Sequence, residues 1–145
     1  MNIKQKVMVF IARPKDDGFE LLARRNAPSK NHGGDRWYMV TGNVEPNESL
    51  EQAAAREAYE ETGIIDVSKL IKLPLVNTFS SNKEPNTEFV EQAYLLITSY
   101  NGPIKLNNES TDAAWLSLDE FIDKIWWAEE KDKLINILKN ALANT

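Results

Sequence analysis

The segment from Gly42 to Ile64, GNVEPNESLEQAAAREAYEETGI, commits the chain to a helix and dictates how that helix must face. Ser49 with Gln52 three residues on is a capping box, and Gly63 stands where a left-handed residue ends a helix, so a helix is predicted from about Leu50 to Thr62. At about 100° per residue, with Glu57 as origin, Glu60 and Glu61 fall at roughly −60° and +40°. Leu50, Ala53 and Ala54 fall at roughly +20°, −40° and +60°. The carboxylates therefore continue the apolar stripe that must meet the body of the protein, whereas Gln52, Ala55, Arg56 and Tyr59 lie toward the other side. A merely solvated acidic face would sit opposite Leu50 and Ala54. Carboxylates at an interior margin need compensation, because each is costly to desolvate and raises the pKa of its neighbours. One nearby arginine, Arg56, cannot neutralise three of them. A divalent cation can, and Mg²⁺ binds through a few carboxylates, water and substrate phosphate. A charged helix serving structure alone would predict no metal dependence.

The rest of the chain reads as strands and helices around this segment. Val7 to Ile11 is predicted as a buried strand and Phe19 to Arg24 as a second, joined across the turn PKDDG as a hairpin. Asn26 to Asp35 is rich in turn formers and is expected to be a loop, followed by a short strand at Trp37 to Val40. Beyond the helix, LVNTFSS and EFVEQAYLLITSY read as strands, and a short strand at Trp115 and Leu116 leads into a helix capped by Ser117 and Glu120. A last helix, roughly Ala128 to Ala143, carries Leu134, Ile137, Leu138, Ala141 and Leu142 at helical spacing. This pattern predicts an α/β (α+β) fold, a sheet covered by helices on its faces.

At 145 residues without an internal repeat or linker-like tract, residues 1–145 are expected to form one domain. A formal charge of −5 argues against a nucleic-acid polymer or an anionic membrane as partner, though not against a phosphate ligand accompanied by metal. The longest apolar run, VMVFIA from Val7 to Ala12, is too short to span a bilayer or to form a signal-peptide core, so no membrane is expected. Absence of cysteine fits a reducing compartment, and the chain is expected to be cytoplasmic.

Gly42, Glu48, Arg56, Glu57, Glu60, Glu61, Gly63 and Ile64, at the spacing found here, resemble a complete Nudix box. The likeness extends to the strand and Trp37 before the box and to NESTDAAWLSLDEF after it. It implies the Nudix fold, a mixed β-sheet sandwiched between helices. It also implies hydrolysis of a nucleoside diphosphate linked to another group, by water attacking phosphorus with Mg²⁺, or Mn²⁺ in its place. By this resemblance Glu57 and Glu61 are the main metal ligands, Glu60 a ligand or close neighbour of one, and a backbone carbonyl of Thr41 or Gly42 completes the site. Arg56 resembles the arginine that orients Glu57, and Glu48 stabilises the junction of loop and helix. The general base is either a glutamate of the helix, Glu57, or one delivered by a later loop, where Glu109 stands. Asn47 replaces a frequent glycine and is the next best residue for a left-handed conformation.

Arg24 and Arg25 end the second strand beside the expected cleft; alternation sends one to substrate phosphate, and Arg25 is favoured. Trp37 and Tyr94 are candidates for stacking on a base, against the alternative that they are core. Trp126 and Trp127 cannot both face inward, so one should pack and the other mark a cleft rim or a subunit contact. The lone histidine, His32, is expected to face solvent. WYMVTGNVE, with Thr41 for the first glycine of a common pair and Val40 for a common proline, resembles the branch that cleaves dihydroneopterin triphosphate and deoxynucleoside triphosphates to monophosphate and pyrophosphate. Hydrolysis of ADP-ribose or a dinucleoside polyphosphate, or a polyphosphate-binding module without chemistry, are the alternatives. The resemblance leaves a homodimer open.

Overall fold

A computed structural model describes residues 1–26, 36–106 and 110–145 of the chain. His32 and Glu109 lie outside the described residues. Ten elements follow in the order β1 (Asn2–Lys15), β2 (Gly18–Asn26), β3 (Trp37–Tyr38), β4 (Val40–Asn43), α1 (Leu50–Thr62), β5 (Lys69–Ser81), β6 (Glu84–Ile97), β7 (Ser110–Ser117), α2 (Leu118–Lys124) and α3 (Lys131–Ala143).

The strand β1 organises the sheet. It runs parallel to β6 from Asn2 to Ala12, and on its other edge it pairs antiparallel with two strands in turn. Ala12 to Lys15 pair with β2, forming the expected hairpin, whereas Lys6 to Val9 pair with β4. β2 has by then parted from β1 and pairs with β3 in its place, while its other edge pairs with β7 from Glu20 to Asn26. The sheet is thus mixed, with β5 on the far edge beside β6.

Unbroken apolarity in β1 is explained by burial on both faces, the usual cause of such runs. Met8, Phe10 and Ala12 pack with Phe121 of α2 and with Leu134 and Leu138 of α3. The alternate residues Val7, Val9 and Ile11 pack with Ala53, Ala54 and Ala58 of α1 and with Ile64. Alternation of side chains along one strand therefore serves two helical layers, and the α/β sandwich expected from sequence is present. Alanines on the buried stripe of α1 let the helix lie close to the sheet. On the opposite face Phe10 meets Phe121 edge-on with ring centroids 6.0 Å apart, and Trp127 lies 6.3 Å from Phe10. Trp127 is thus the packing member of the tryptophan pair.

Helix α1 occupies the predicted span, and both halves of the Ser49–Gln52 capping box are formed. Gly63 closes it at φ 82°, and its N–H donates to Tyr59 O at 2.8 Å. Asn47 adopts φ 63°, the left-handed conformation that its position in the loop was expected to require. Several elements depart from the sequence reading: β1 and β7 are longer than expected, and β6 runs from Glu84 to Ile97 rather than from Glu88 to Tyr100. WYMV divides at Met39 because Trp37 and Tyr38 belong to β2's edge while Val40 onward joins β1. β5 begins at Lys69 rather than Leu75, and Pro74 sits in its break in register between Lys72 and Val76. α3 begins at Lys131. No helix among the described residues is long and apolar enough to cross a membrane.

Candidate active site

Sequence geometry placed all three box carboxylates at the interior margin of α1; the structure separates them. Glu61 is buried, with its side chain 6% exposed, Glu57 is 14% exposed and Glu60 is 53% exposed. Glu60 stands outward because Arg56 reaches around the helix and collects it. Nη1 of Arg56 donates to Glu57 Oε1 at 2.8 Å and to Glu60 Oε1 at 3.0 Å. Nε and Nη2 donate to the two oxygens of Glu48 at 2.7 and 2.9 Å, and Nη2 also reaches the carbonyl of Asn43 at 2.8 Å. One guanidinium thereby ties the loop, strand β4 and two carboxylates of α1 together. These bonds push the Arg56 guanidinium above its ordinary value, the Glu48 bond contributing most.

Glu48 clamps the start of this arrangement, since its Oε1 also accepts from the N–H of Glu45 at 2.9 Å. The Arg56 bonds, followed by that N–H, hold the Glu48 carboxyl at about 2. A carboxyl whose folded pKa is depressed stabilises the fold above its unfolded value of 4.5, and that contribution is lost as pH falls from there toward about 2. Glu48→Gln should therefore melt below wild type at pH 7, and the gap in Tm should close between pH 4.5 and 2. A gap independent of pH would assign the Glu48 effect to packing rather than to its charge.

Glu61 faces a cleft of about 600 Å³, within the range of small-molecule sites. Its walls come from every layer: Lys6 of β1, Arg24 and Asn26 of β2, Arg36, Tyr38, Thr41 of β4, Phe79 of β5, Glu91 of β6, Ser110 of β7 and Trp126. Arg24 donates to Glu61 through Nη2, and to Ser110 Oγ at 2.7 Å through Nη1. A second cavity of about 580 Å³, lined by Tyr59, Glu60, Gly63 and Tyr100 among others, holds no basic residue besides Lys105. Concentration of cations and of the Glu61 carboxylate makes the first cleft the one suited to a polyphosphate.

Several expected contacts are relocated. Of the two arginines, Arg24 enters the cleft and Arg25 turns outward, 3.4 Å from Asp112, because side chains alternate along β2. Trp37 is not among the cleft residues; it packs on the core beside α2 with Lys124 Nζ 4.7 Å from its ring centroid. Tyr94 is core on the α1 face, and its hydroxyl donates to Glu51 Oε2 at 2.6 Å in the helix's first turn. Burial and that bond push the Tyr94 phenol up. The cleft wall instead carries the rings of Tyr38, Trp126 and Phe79; Phe79 is stacked on Phe89, whereas Tyr38 and Trp126 lie 6.2 Å apart, with the Arg36 guanidinium 5.0 Å from the Trp126 ring. Trp126 is thus the cleft-rim member of its pair. Glu91 was missed by sequence reasoning. It is buried in the cleft, and desolvation raises its carboxyl pKa against the opposing pull of Lys6 and Asn77. Its signal was available: it alternates with Phe89 and Ala93 and so had to face inward.

Gly42 shows how closely the box is built. A Cβ there would collide with Cγ, Cδ and Oε2 of Glu57, so the missing side chain lets that carboxylate lie against β4 next to Thr41. Among the described residues no three acidic or imidazole groups converge tightly enough to hold a metal as they stand. Glu57 and Glu61 stand one turn apart on α1, Glu57 against Gly42 and Glu61 in the cleft that Thr41 also lines, and carboxylate and carbonyl oxygens are the donor type that a hard divalent cation takes.

Compared with known proteins, residues 3–136 match the family model described as the NUDIX domain. The chain belongs to the Nudix hydrolase family. Nudix relatives include the NAD-capped RNA hydrolase NudC of Mannheimia succiniciproducens, 36% identical over 119 residues. The match covers 79% of this chain but 39% of NudC, so the chain spans well under half of that relative. Nucleoside triphosphatase NudI of Escherichia coli is 29% identical over 117 residues, covering 74% of this chain and 79% of NudI. The E. coli dihydroneopterin triphosphate pyrophosphohydrolase superposes with a TM-score of 0.72 at 21% identity, covering 100% of both chains, which establishes the shared Nudix fold.

Proposed function

We propose that this Nudix domain is a Mg²⁺-dependent pyrophosphohydrolase, with Mn²⁺ as a substitute, that cleaves a nucleoside or pterin triphosphate to the monophosphate and pyrophosphate. The observation that carries this reading is a cationic cleft holding Arg24, Arg36, Lys6 and Lys83 with the buried Glu61 carboxylate at its wall. Similarity to NudI, and the Thr41 and Val40 variation of the box, favour a triphosphate over other phosphoanhydrides.

Glu57, Glu61 and the backbone at Thr41 would hold the metal, which when bound neutralises polyphosphate charge and makes water a stronger nucleophile. Arg56 fixes the Glu57 carboxylate in place through its 2.8 Å bond. Glu60, exposed and tied to Arg56, would tune that carboxylate or complete the ligand set. Arg24 would bind phosphate from the cleft wall, and Tyr38 and Trp126 offer rings for the base or pterin. Glu57 and Glu109 are the two candidates for the general base. A cytoplasmic location suits the cysteine-free composition.

The test is release of pyrophosphate against orthophosphate from nucleoside triphosphates, dihydroneopterin triphosphate, ADP-ribose and dinucleoside polyphosphates, with Mg²⁺ and with chelator. Chelator-sensitive pyrophosphate release from a triphosphate is expected. Turnover confined to ADP-ribose or dinucleotides would overturn the substrate class, and silence across the panel would make the domain a binding module.

A further inference from the structure

Among the described residues, two buried side-chain nitrogens of the cleft have no acceptor: Nε of Arg24 and Nδ2 of Asn26. Arg24 is 6% and Asn26 5% exposed, and buried donors of native proteins nearly always find partners. They stand two residues apart on β2 and therefore on one face, with Arg25 between them turned outward. The register shift at this point leaves that alternation intact, because Arg25 pairs with Asp112 and Asn26 with Ser110, placing the extra residue, Thr111, in β7.

The orientation of the Asn26 amide is settled by its neighbours. Its Oδ1 accepts from the backbone N–H of Arg36 at 2.8 Å, and the backbone N–H of Asn26 donates to the Arg36 carbonyl at 2.9 Å. Exchanging the amide nitrogen and oxygen would set a donor against a donor, so Nδ2 is the atom left without a partner. Arg24 is held as firmly, by Glu61 and Ser110. Both side chains are thus fixed by bonds that leave one nitrogen of each without a partner among the described residues. Lys6, Arg36 and Lys83 line the same cleft, so the acceptor it favours is an oxyanion.

We propose that Asn26 is a substrate-binding residue whose Nδ2, together with Nε of Arg24, donates to non-bridging oxygens of the substrate's polyphosphate. This rests on the polyphosphate reading of the cleft given above. It separates the two ends of the ligand: the phosphates meet β2, and the rings of Tyr38 and Trp126 are left for the organic part.

The decisive variant is Asn26→Asp, which keeps the oxygen that accepts from Arg36 and nearly the same volume but replaces the spare donor by a second oxygen. Asn26→Ser, without the added charge, serves should the aspartate variant fail to fold by circular dichroism. The probe is inorganic tripolyphosphate with Mg²⁺, its binding measured by calorimetry, alongside KM for the accepted triphosphate and preference among bases. Tripolyphosphate affinity should fall by about tenfold or more, the effect of losing a hydrogen bond to a charged group, and KM should rise in parallel with base preference unchanged. Unchanged tripolyphosphate binding with altered base preference would make a carbonyl of the organic part the acceptor and overturn the proposal. So would no change in either, or failure of the wild-type protein to bind tripolyphosphate. If wild type hydrolyses no triphosphate while Asn26→Asp still weakens tripolyphosphate binding, the reaction assignment falls and the phosphate clamp stands.

Discussion

Glu61→Gln is expected to lower Mg²⁺-dependent turnover by about a hundredfold to a thousandfold, because metal-held charge stabilisation is worth several kcal/mol and each 1.36 kcal/mol is a factor of ten. The same substitution should also weaken the fold. Arg24 and Glu61 are a buried pair, with side chains 8% and 6% exposed, and removing one member of such a pair costs about 3–5 kcal/mol. Glutamine still offers an amide oxygen to Arg24, which places the expected loss near the lower figure, or roughly 10 °C in Tm for a chain of this size. The variant should still fold; the loss of stability comes from the ion pair with Arg24. Steady-state kinetics with Mg²⁺ and chelator, run beside thermal melts, separate the two effects. Wild-type turnover would remove Glu61 from the metal site. An unchanged Tm would mean that the pair contributes no net stability.

The parts of this design that sequence discloses are those encoded locally. The span of α1 is set by Ser49, Gln52 and Gly63 within one segment, so the helix and its box could be placed residue by residue. The two-sided burial of β1 follows from its unbroken apolarity. What sequence hides depends on partners far along the chain. β4 lies beside β1 while β3 stays on β2, and nothing within WYMV marks the crossing at Met39. Pro74 reads as the end of a strand, yet the edge position of β5 tolerates it. Alternation showed that only one of Arg24 and Arg25 could enter the cleft, but choosing between them required the facing carboxylate of Glu61. Tyr94 has the side chain of a stacking platform and the surroundings of a core residue. Crowding of like charges on α1 is resolved by two arginines rather than one, and Arg24 lies 37 residues from the Glu61 it holds.

Gly42→Ala should disable the same site by a different route. Gly63 is the glycine with a left-handed φ among the described residues, so the conformation of Gly42 is open to alanine and the substitution acts through the added methyl alone. That methyl falls on the side chain of Glu57, whose carboxylate Arg56 holds at 2.8 Å. Strand β4 is locked to β1 from Lys6 to Val9, so the glutamate yields rather than the backbone. Displacing a catalytic group by an ångström costs on the order of a hundredfold, and a loss of that size in kcat/KM is expected. Stability should change far less, since overpacking of about 1–3 kcal/mol is offset in part by the roughly 0.4–1 kcal/mol gained when glycine is replaced in the unfolded chain. Activity would thus fall by about as much as in a metal-ligand variant while Tm stays within a few degrees. The double variant Gly42→Ala/Glu57→Ala supplies the control. Truncating residue 57 at Cβ removes all three atoms that the new methyl meets, so if the clash is the cause, alanine at 42 should cost little further in that background and the two losses should fall short of additive in a mutant cycle. Additive losses, or wild-type kcat/KM in Gly42→Ala, would show that the place of Glu57 against β4 is not what the reaction needs.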